Sequence, residues 1–236
     1  MMEKSNEEHI KGGGKVRSFI LGFNDGLIST FTLLVGVAAA TLSLENNAIV
    51  ILTGIAAMVS GAISMGLGEY ISSRSESKYI FNELKKERAE VELFPIEEKE
   101  EVKEILQSWG FEGNLLREST KKITSNKEIW IDFLVKGELG LDEPENPFIG
   151  GFLTFNAFIG GAFTALFPYF FNLGFISLLF STIISFSMLF IVGLLKTRIT
   201  GENNIRSAIE MVFIGIIAFL VSFSVGLWLK QIIPSI

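Results

Sequence analysis

Three side chains are out of keeping with their surroundings: Asp25 in the apolar run from Ser18 to Ser43, and Met65 and Glu69 in the run from Ala48 to Ile71. Each run is long enough to cross a membrane, and a carboxylate at the centre of such a helix costs about 2.5–3.5 kcal/mol on insertion scales. Asp25 and Glu69 are therefore candidates for function. Asp25 lies about seven residues, or roughly 10 Å, into its run. The second run is antiparallel to the first, so Met65 lies about six residues, or roughly 9 Å, from the same surface. A carboxylate and a thioether at one depth combine a hard ligand with a soft one, which favours a borderline divalent cation such as Fe2+ over Mg2+ or Ca2+. Plain packing is the commoner use of Met in such a run, and Glu69 is close enough to the end to snorkel. Asn24 and Gly26 flank Asp25, Gly22 lies one turn back, and Ser60, Ser64 and Gly68 give the second run a small face. Small residues let helices approach closely, so the two runs are expected to pack on one another around a polar site.

A second constellation lies in a charged stretch. Glu87 and Glu90 are three apart, as are Glu98 and Glu101, so each pair projects from one face of its helix. Packed as a hairpin, two such helices would gather four carboxylates, which repel unless a cation sits among them. Glu- and Lys-rich helices are more commonly solvated faces with i,i+4 pairing, and composition alone leaves both readings open. Catalysis has little to draw on. The chain has no Cys, which removes thiolate metal sites and cysteine nucleophiles, and its single histidine, His9, stands in a polar tail. Ser-His-Asp hydrolysis and the Glu-x-x-His pairs of di-iron oxidases are thereby excluded, and no catalytic residue and no enzyme is expected. A net charge of −6 argues against nucleic acid.

The elements that position these residues follow from hydropathy. The 236 residues are 49% apolar with 22 Phe, a composition suited to a membrane. The expected fold is all-α: an integral membrane protein with five transmembrane helices and a cytoplasmic helical metal-binding domain inserted between helices two and three. Residues 1–17 form a polar tail, 18–71 carry spans one and two, 72–147 the acidic helical domain, and 148–236 spans three to five, at about 148–167, 173–195 and 209–229. The first span is read as an anchor and not a cleaved signal. Nineteen of the twenty basic residues fall in the tail, the insert and the link between spans four and five, which puts those segments in the cytoplasm. Lys230 is the exception and can snorkel. Glu210, at the inner start of span five, is expected to face headgroups or cap its helix. Within the insert, helices are expected over about 77–91, from Pro95 to near Gly110, over 114–124 and over 127–136.

Gly-Phe-Asn-Asp-Gly-Leu at 22–27, Gly-Ala-Ile-Ser-Met-Gly-Leu-Gly-Glu-Tyr-Ile-Ser at 61–72 and Glu-Leu-Gly-Leu at 138–141 make the chain resemble the vacuolar iron transporter family, in its prokaryotic branch. The resemblance covers the chain beyond the tail. It implies a homodimeric exporter of Fe2+, and often Mn2+, that works by proton antiport. It also implies that Asp25 and Met65 are the pathway ligands, and that Glu87, Glu90, Glu98, Glu101 and Glu138 bind metal in the cytoplasmic domain. Two positions depart from the family pattern. Ala57 stands where eukaryotic members have a Glu and Glu69 where they often have Gly, so either the proton-linked role passes to Glu69 or the coupling differs from theirs. Leu134 replaces a Met four residues before Glu138, which leaves an all-carboxylate site.

The expected function is export of cytosolic Fe2+ or Mn2+ for metal homeostasis, with Asp25, Met65 and Glu69 lining the route. A carboxylate in an apolar medium takes up a proton when it gives up its cation, so metal and proton would compete for the same oxygens. A non-transporting scaffold with an acidic partner-binding domain and an uncoupled cation channel are the alternatives. No permanent cofactor is expected. The expected partners are a second copy, lipid and the divalent ion, and the expected location is the plasma membrane.

Overall fold

Helices alone build the described part of the chain, which in the computed structural model comprises residues 13–41, 47–137, 146–200 and 204–232. In order they are α1 (Gly13–Ala40), α2 (Ala48–Leu93), α3 (Glu97–Ser108), α4 (Gly113–Ile123), α5 (Lys127–Gly137), α6 (Pro147–Leu166), a 3-10 turn at Phe167–Phe171, α7 (Phe175–Thr200) and α8 (Asn204–Ile232). Among the described residues five helices are long and apolar enough to cross a membrane: α1, α2, α6 with its 3-10 turn, α7 and α8. The five spans expected from hydropathy are all present, and α1 starts five residues before the expected Ser18. A helix continues through Lys15 and Arg17 because their intrinsic propensity is high, whatever the polarity of the medium. By contacts the chain divides into two compact units, Met1–Tyr70 with Phe148–Ile236, and Ile71–Pro147.

The first unit is built inside out relative to a water-soluble bundle. Ser177, Ser181 and Ser185, four apart on α7, are fully buried, as is Thr154 of α6, while Phe213, Leu220, Val221 and Trp228 of α8 face outward. Where lipid is as apolar as leucine there is no drive to bury leucine, and helices associate through close packing and hydrogen bonds. Close packing is achieved at glycines. A Cβ placed on Gly26 of α1 would overlap the carbonyl of Phe158 on α6, and one on Gly161 of α6 would overlap the carbonyl of Phe23 on α1. Gly226 of α8 meets Gly36 of α1 in the same way, next to a hydrogen bond from the Ser222 hydroxyl to the Thr32 carbonyl. Around these contacts Leu27, Phe31, Leu34 and Val35 of α1 pack with Leu166, Tyr169, Leu178 and Leu189. Phe31 sits edge-on to Phe186 at 5.7 Å and stacks with Phe219 at 6.2 Å.

At the start of α2 the bundle is tied by amides. The Asn47 backbone N–H donates to Asn172 Oδ1 at 2.8 Å, and its side-chain amide donates to the Tyr169 carbonyl at 3.2 Å and to Ser177 Oγ at 2.8 Å. Asn47 is 5% exposed, so these bonds replace water that the surroundings do not supply.

The second unit follows the helical pattern expected of the insert. Val91 at the end of α2 packs with Val102 and Leu106 of α3, Leu116 of α4, and Trp130, Ile131, Leu134 and Val135 of α5. Helix α3 ends as its sequence directs. Gly110 takes φ +87°, its N–H bonds the Gln107 carbonyl, and the Phe111 N–H reaches back to the Leu106 carbonyl, which together satisfy the last turn. Asn126 caps α5, its Oδ1 accepting from the N–H groups of Glu128 and Ile129 at 3.0 and 3.2 Å. Lys127 bonds Glu92, and this contact holds the Glu92 carboxyl below its ordinary range.

The glycine contacts generate a prediction. Gly26→Ala and Gly226→Ala each force a methyl group against backbone that cannot yield as a side chain would, at a cost of roughly 1–3 kcal/mol. Thermal unfolding of the detergent-solubilised protein, followed by tryptophan fluorescence, should show a lower midpoint for both.

Candidate functional site

Asp25 is half-buried, and the residues one turn to either side of it, Leu21 and Ser29, are exposed. It therefore stands at the border between the packed face of α1 and a face that a single chain leaves open. Its neighbour Gly26 rests on the backbone of Phe158, and Gly22 approaches the Thr154 carbonyl, to which an added Cβ would come within 2.7 Å. The small face of α1 is thus filled by α6. This corrects the expectation that Gly22 and Gly26 seat the second span. The small face of α2 expected to meet α1 is also not so used: Ser60, Ser64 and Gly68 are exposed, and no atom lies within 4 Å of a Cβ on Gly68. Periodicity identifies which face of a helix is small but not which helix will occupy it.

Helix α2 approaches the same stretch of α6 from its own side. Gly61 lies against the Phe158 ring and Gly66 against Phe155 and Gly151. Met65, half-buried, packs with Met58 on the cluster of Ala62, Phe158 and Ala162. Phe158, only 3% exposed, is therefore shared by the Asp25 neighbourhood through its backbone and by the Met65 neighbourhood through its ring.

The two helices also meet directly. Ser18 Oγ of α1 donates to Glu69 Oε1 of α2 at 2.9 Å, and Ser18 is itself buried. This bond sets a register. From Ser18 to Asp25 is seven residues, two turns along one face of α1, or about 10 Å; from Glu69 back to Met65 is one turn, about 6 Å. Ser18, Asp25, Met65 and Glu69 thus occupy the same half of the bundle, with Asp25 about one turn further from the Ser18 end than Met65. Beside Asp25, the Asn24 side-chain oxygen is buried with no hydrogen-bond donor among the described residues. Carboxylate, amide and thioether groups, the donor types that borderline cations accept, thus stand on helices that share Phe158. Sequence reasoning identified Asp25, Met65 and Glu69 but missed Ser18, Phe158 and the Asn24 oxygen. The paired glycines at 150–151 and 160–161 were the signal that α6 would lie against other backbones.

The second unit places its acidic residues selectively. Glu87 is 3% exposed and Glu98 5%, while Glu90 and Glu101 are half-buried. Glu92, Glu97, Glu100, Glu104, Glu112 and Glu128 are exposed. The buried pair lies within the apolar stripes of its helices, Glu87 between Leu84 and Val91 on α2 and Glu98 one turn before Val102 on α3. Glutamate is almost never fully buried unless it is paired or holds a metal, so a solvated face does not account for these two. Among the described residues no three Asp, Glu or His side chains gather closely enough to hold one ion. Glu138, expected as a fifth ligand, lies outside the described residues.

The comparisons with known proteins agree with one another. The VIT family matches residues 16–227. The chain is 35% identical over 226 residues to vacuolar iron transporter 1 of Arabidopsis thaliana, covering 94% of this chain and 89% of that protein. It is 32% identical over 230 residues to vacuolar iron transporter 1 of Tulipa gesneriana, with coverage of 96% and 92%. To the vacuolar iron transporter of Plasmodium falciparum it is 30% identical over 247 residues, with coverage of 98% and 88%.

Burial of Glu87 and Glu98 generates a prediction. Glu87→Gln/Glu98→Gln keeps the size of both side chains but takes away their carboxylates, so a rise in melting midpoint with added divalent ion is expected of the wild type and not of the variant. Differential scanning fluorimetry with and without Mn2+ reads the difference.

Proposed function

The chain belongs to the VIT family, and on that premise we propose that it carries Fe2+, with Mn2+ as a second substrate, out of the cytosol in exchange for protons. The observation that carries the reading is the half-buried Asp25, beside the unengaged Asn24 oxygen, on a helix that shares Phe158 with the Met65 neighbourhood in a predominantly apolar bundle. An anionic group in such a medium is stable when a cation or a proton accompanies it, and that alternation is what an exchanger needs. The thioether favours Fe2+ over harder ions. The names of the relatives, vacuolar iron transporters, agree with iron as the cargo.

In this reading the acidic unit is cytoplasmic, which the distribution of basic residues supports, and collects the ion on Glu87, Glu90, Glu98 and Glu101, with Glu138 as the fifth ligand. The ion then passes Glu69 to reach Met65 and Asp25. Glu69 takes the proton-linked role left open by Ala57, and the Ser18 hydroxyl positions its carboxylate. Export from the cytosol has the same sense whether the membrane bounds a vacuole or the cell, and the plasma membrane is the location that the prokaryotic cast of the motifs supports. A second copy completes the route: the exposed faces of Leu21, Ser29, Ser60, Ser64 and Gly68 are where it would pack, and a homodimer closes around a two-fold axis.

Flux into proteoliposomes under a set pH gradient tests the transport reading. Asp25→Asn should reduce Fe2+ flux to the protein-free background, Met65→Leu should lower Fe2+ flux more than Mn2+ flux, and Glu69→Gln should uncouple flux from the pH gradient. Asp25→Asn transporting at the wild-type rate would discard the route, and wild-type flux indifferent to pH would make the protein a channel. Because the chain has no Cys, a lone cysteine at Ser64 reports on the dimer without background. Oxidation in the membrane should convert Ser64→Cys protein to a covalent dimer on a non-reducing gel, and Leu220→Cys, on the outward face of α8, should stay monomeric.

A further inference from the structure

We propose that the groove between α3 and α4 binds a phosphate-bearing anion, held by Lys99, Lys103, Arg117 and Lys121. The four cations come as two i,i+4 pairs, Lys99 and Lys103 on α3, Arg117 and Lys121 on α4, and each pair forms a ridge on its helix. The ridges face one another across a cavity of about 400 Å³, whose lining also includes Thr120, Thr124 and Gly113 and no carboxylate. This volume is within the range of small-ligand pockets, about 300–1,000 Å³.

The surroundings make the cluster unusual. Residues 72–147 hold 18 acidic and 12 basic residues, so carboxylates are in surplus, and Lys86, Arg88, Lys127 and Lys136 each sit within 4.0 Å of one. In the groove Lys103 pairs with Glu100, but Lys99, Arg117 and Lys121 have no carboxylate within that distance among the described residues. Lys99 instead lies over the Trp130 ring, 5.7 Å from its centre. Arg117 donates to Asn114 Oδ1 at 2.7 Å, which leaves most of its guanidinium donors for a ligand. Like charges gathered in a concave site repel one another unless an anion lies between them.

The donor set also specifies the anion. A planar guanidinium grips two oxygens of a phosphate at once, and ammonium groups neutralise its charge without directional demand. Gly113, at the first turn of α4, brings backbone to the cavity wall with no side chain in front of it. The Glu112 side chain makes no capping bond to the turn that follows it, so amides there remain open to an oxyanion. A phosphate ester in solution and a phosphatidic headgroup share this chemistry.

Titration calorimetry on metal-free, full-length protein in detergent separates the two sources and is independent of the transport reading, since no divalent ion is present. The probes are sodium pyrophosphate, and dihexanoyl phosphatidic acid against dihexanoyl phosphatidylcholine. Saturable binding is expected that weakens at least tenfold in Arg117→Gln/Lys121→Gln, survives in Arg117→Lys/Lys121→Arg, and is unchanged in Lys78→Gln/Lys85→Gln, which alters exposed cations elsewhere. Pyrophosphate binding with this pattern assigns the groove to a soluble phosphate ester, and binding of phosphatidic acid alone assigns it to a headgroup. Binding of neither probe, or binding that Arg117→Gln/Lys121→Gln leaves at the wild-type level, overturns the proposal.

Discussion

The membrane-embedded unit depends on backbone meeting backbone. Lipid removes the drive that would bury leucine against leucine in water, so helices here are held by van der Waals contact and by hydrogen bonds from hydroxyls and amides. Glycine is what lets that contact become close: Gly26 on Phe158, Gly161 on Phe23, and Gly226 on Gly36. Because these approaches put α6 against α1 on one side and α2 on the other, they also decide where Asp25 and Met65 stand. The neighbourhoods of Asp25 and Met65 are thus set by packing, and the residue they share is Phe158, which has no metal chemistry of its own.

The two groups of carboxylates answer the same cost of burial in different ways. Asp25 and Glu69 stand at the margin of an apolar bundle, one beside an amide oxygen and the other on a serine hydroxyl. Glu87 and Glu98 lie within the apolar stripes of a water-facing domain, where hydrophobic side chains would pack with less penalty. In both places the local sequence accepts a cost of burial that an apolar side chain would avoid.

How much of this was legible in the sequence can be argued residue by residue. The five long helices and the insert were, because twenty apolar residues in a row admit few readings and because Pro95 and Gly110 punctuate the insert at its turns. Asp25 and Glu69 were, because charge in a greasy run is conspicuous. The pairing of Glu87 with Glu90 and of Glu98 with Glu101 was visible as spacing, but not that Glu87 and Glu98 would be buried far more deeply than their partners, since that depends on how the helices pack and not on their period. What failed was the partner of the small faces. A glycine at position 26 announces that something will come close; it does not say that this will be Phe158, 132 residues further along. Ser18 was overlooked for a related reason, as a serine at a helix start is unremarkable until a carboxylate from another helix meets it.

The hydrogen bonds that tie α2 to the rest of the bundle differ in kind. At one end Asn47 fastens the first turn of α2 to Asn172, Tyr169 and Ser177 through neutral amides and hydroxyls, a knot indifferent to acidity. Near the middle of α2, the Ser18 hydroxyl donates instead to a carboxylate oxygen of Glu69. Both ties join residues far apart in the sequence, 51 positions for Ser18 and Glu69 and 122 to 130 for Asn47 and its partners, so each closes a long stretch of chain whose entropy the packed bundle must offset.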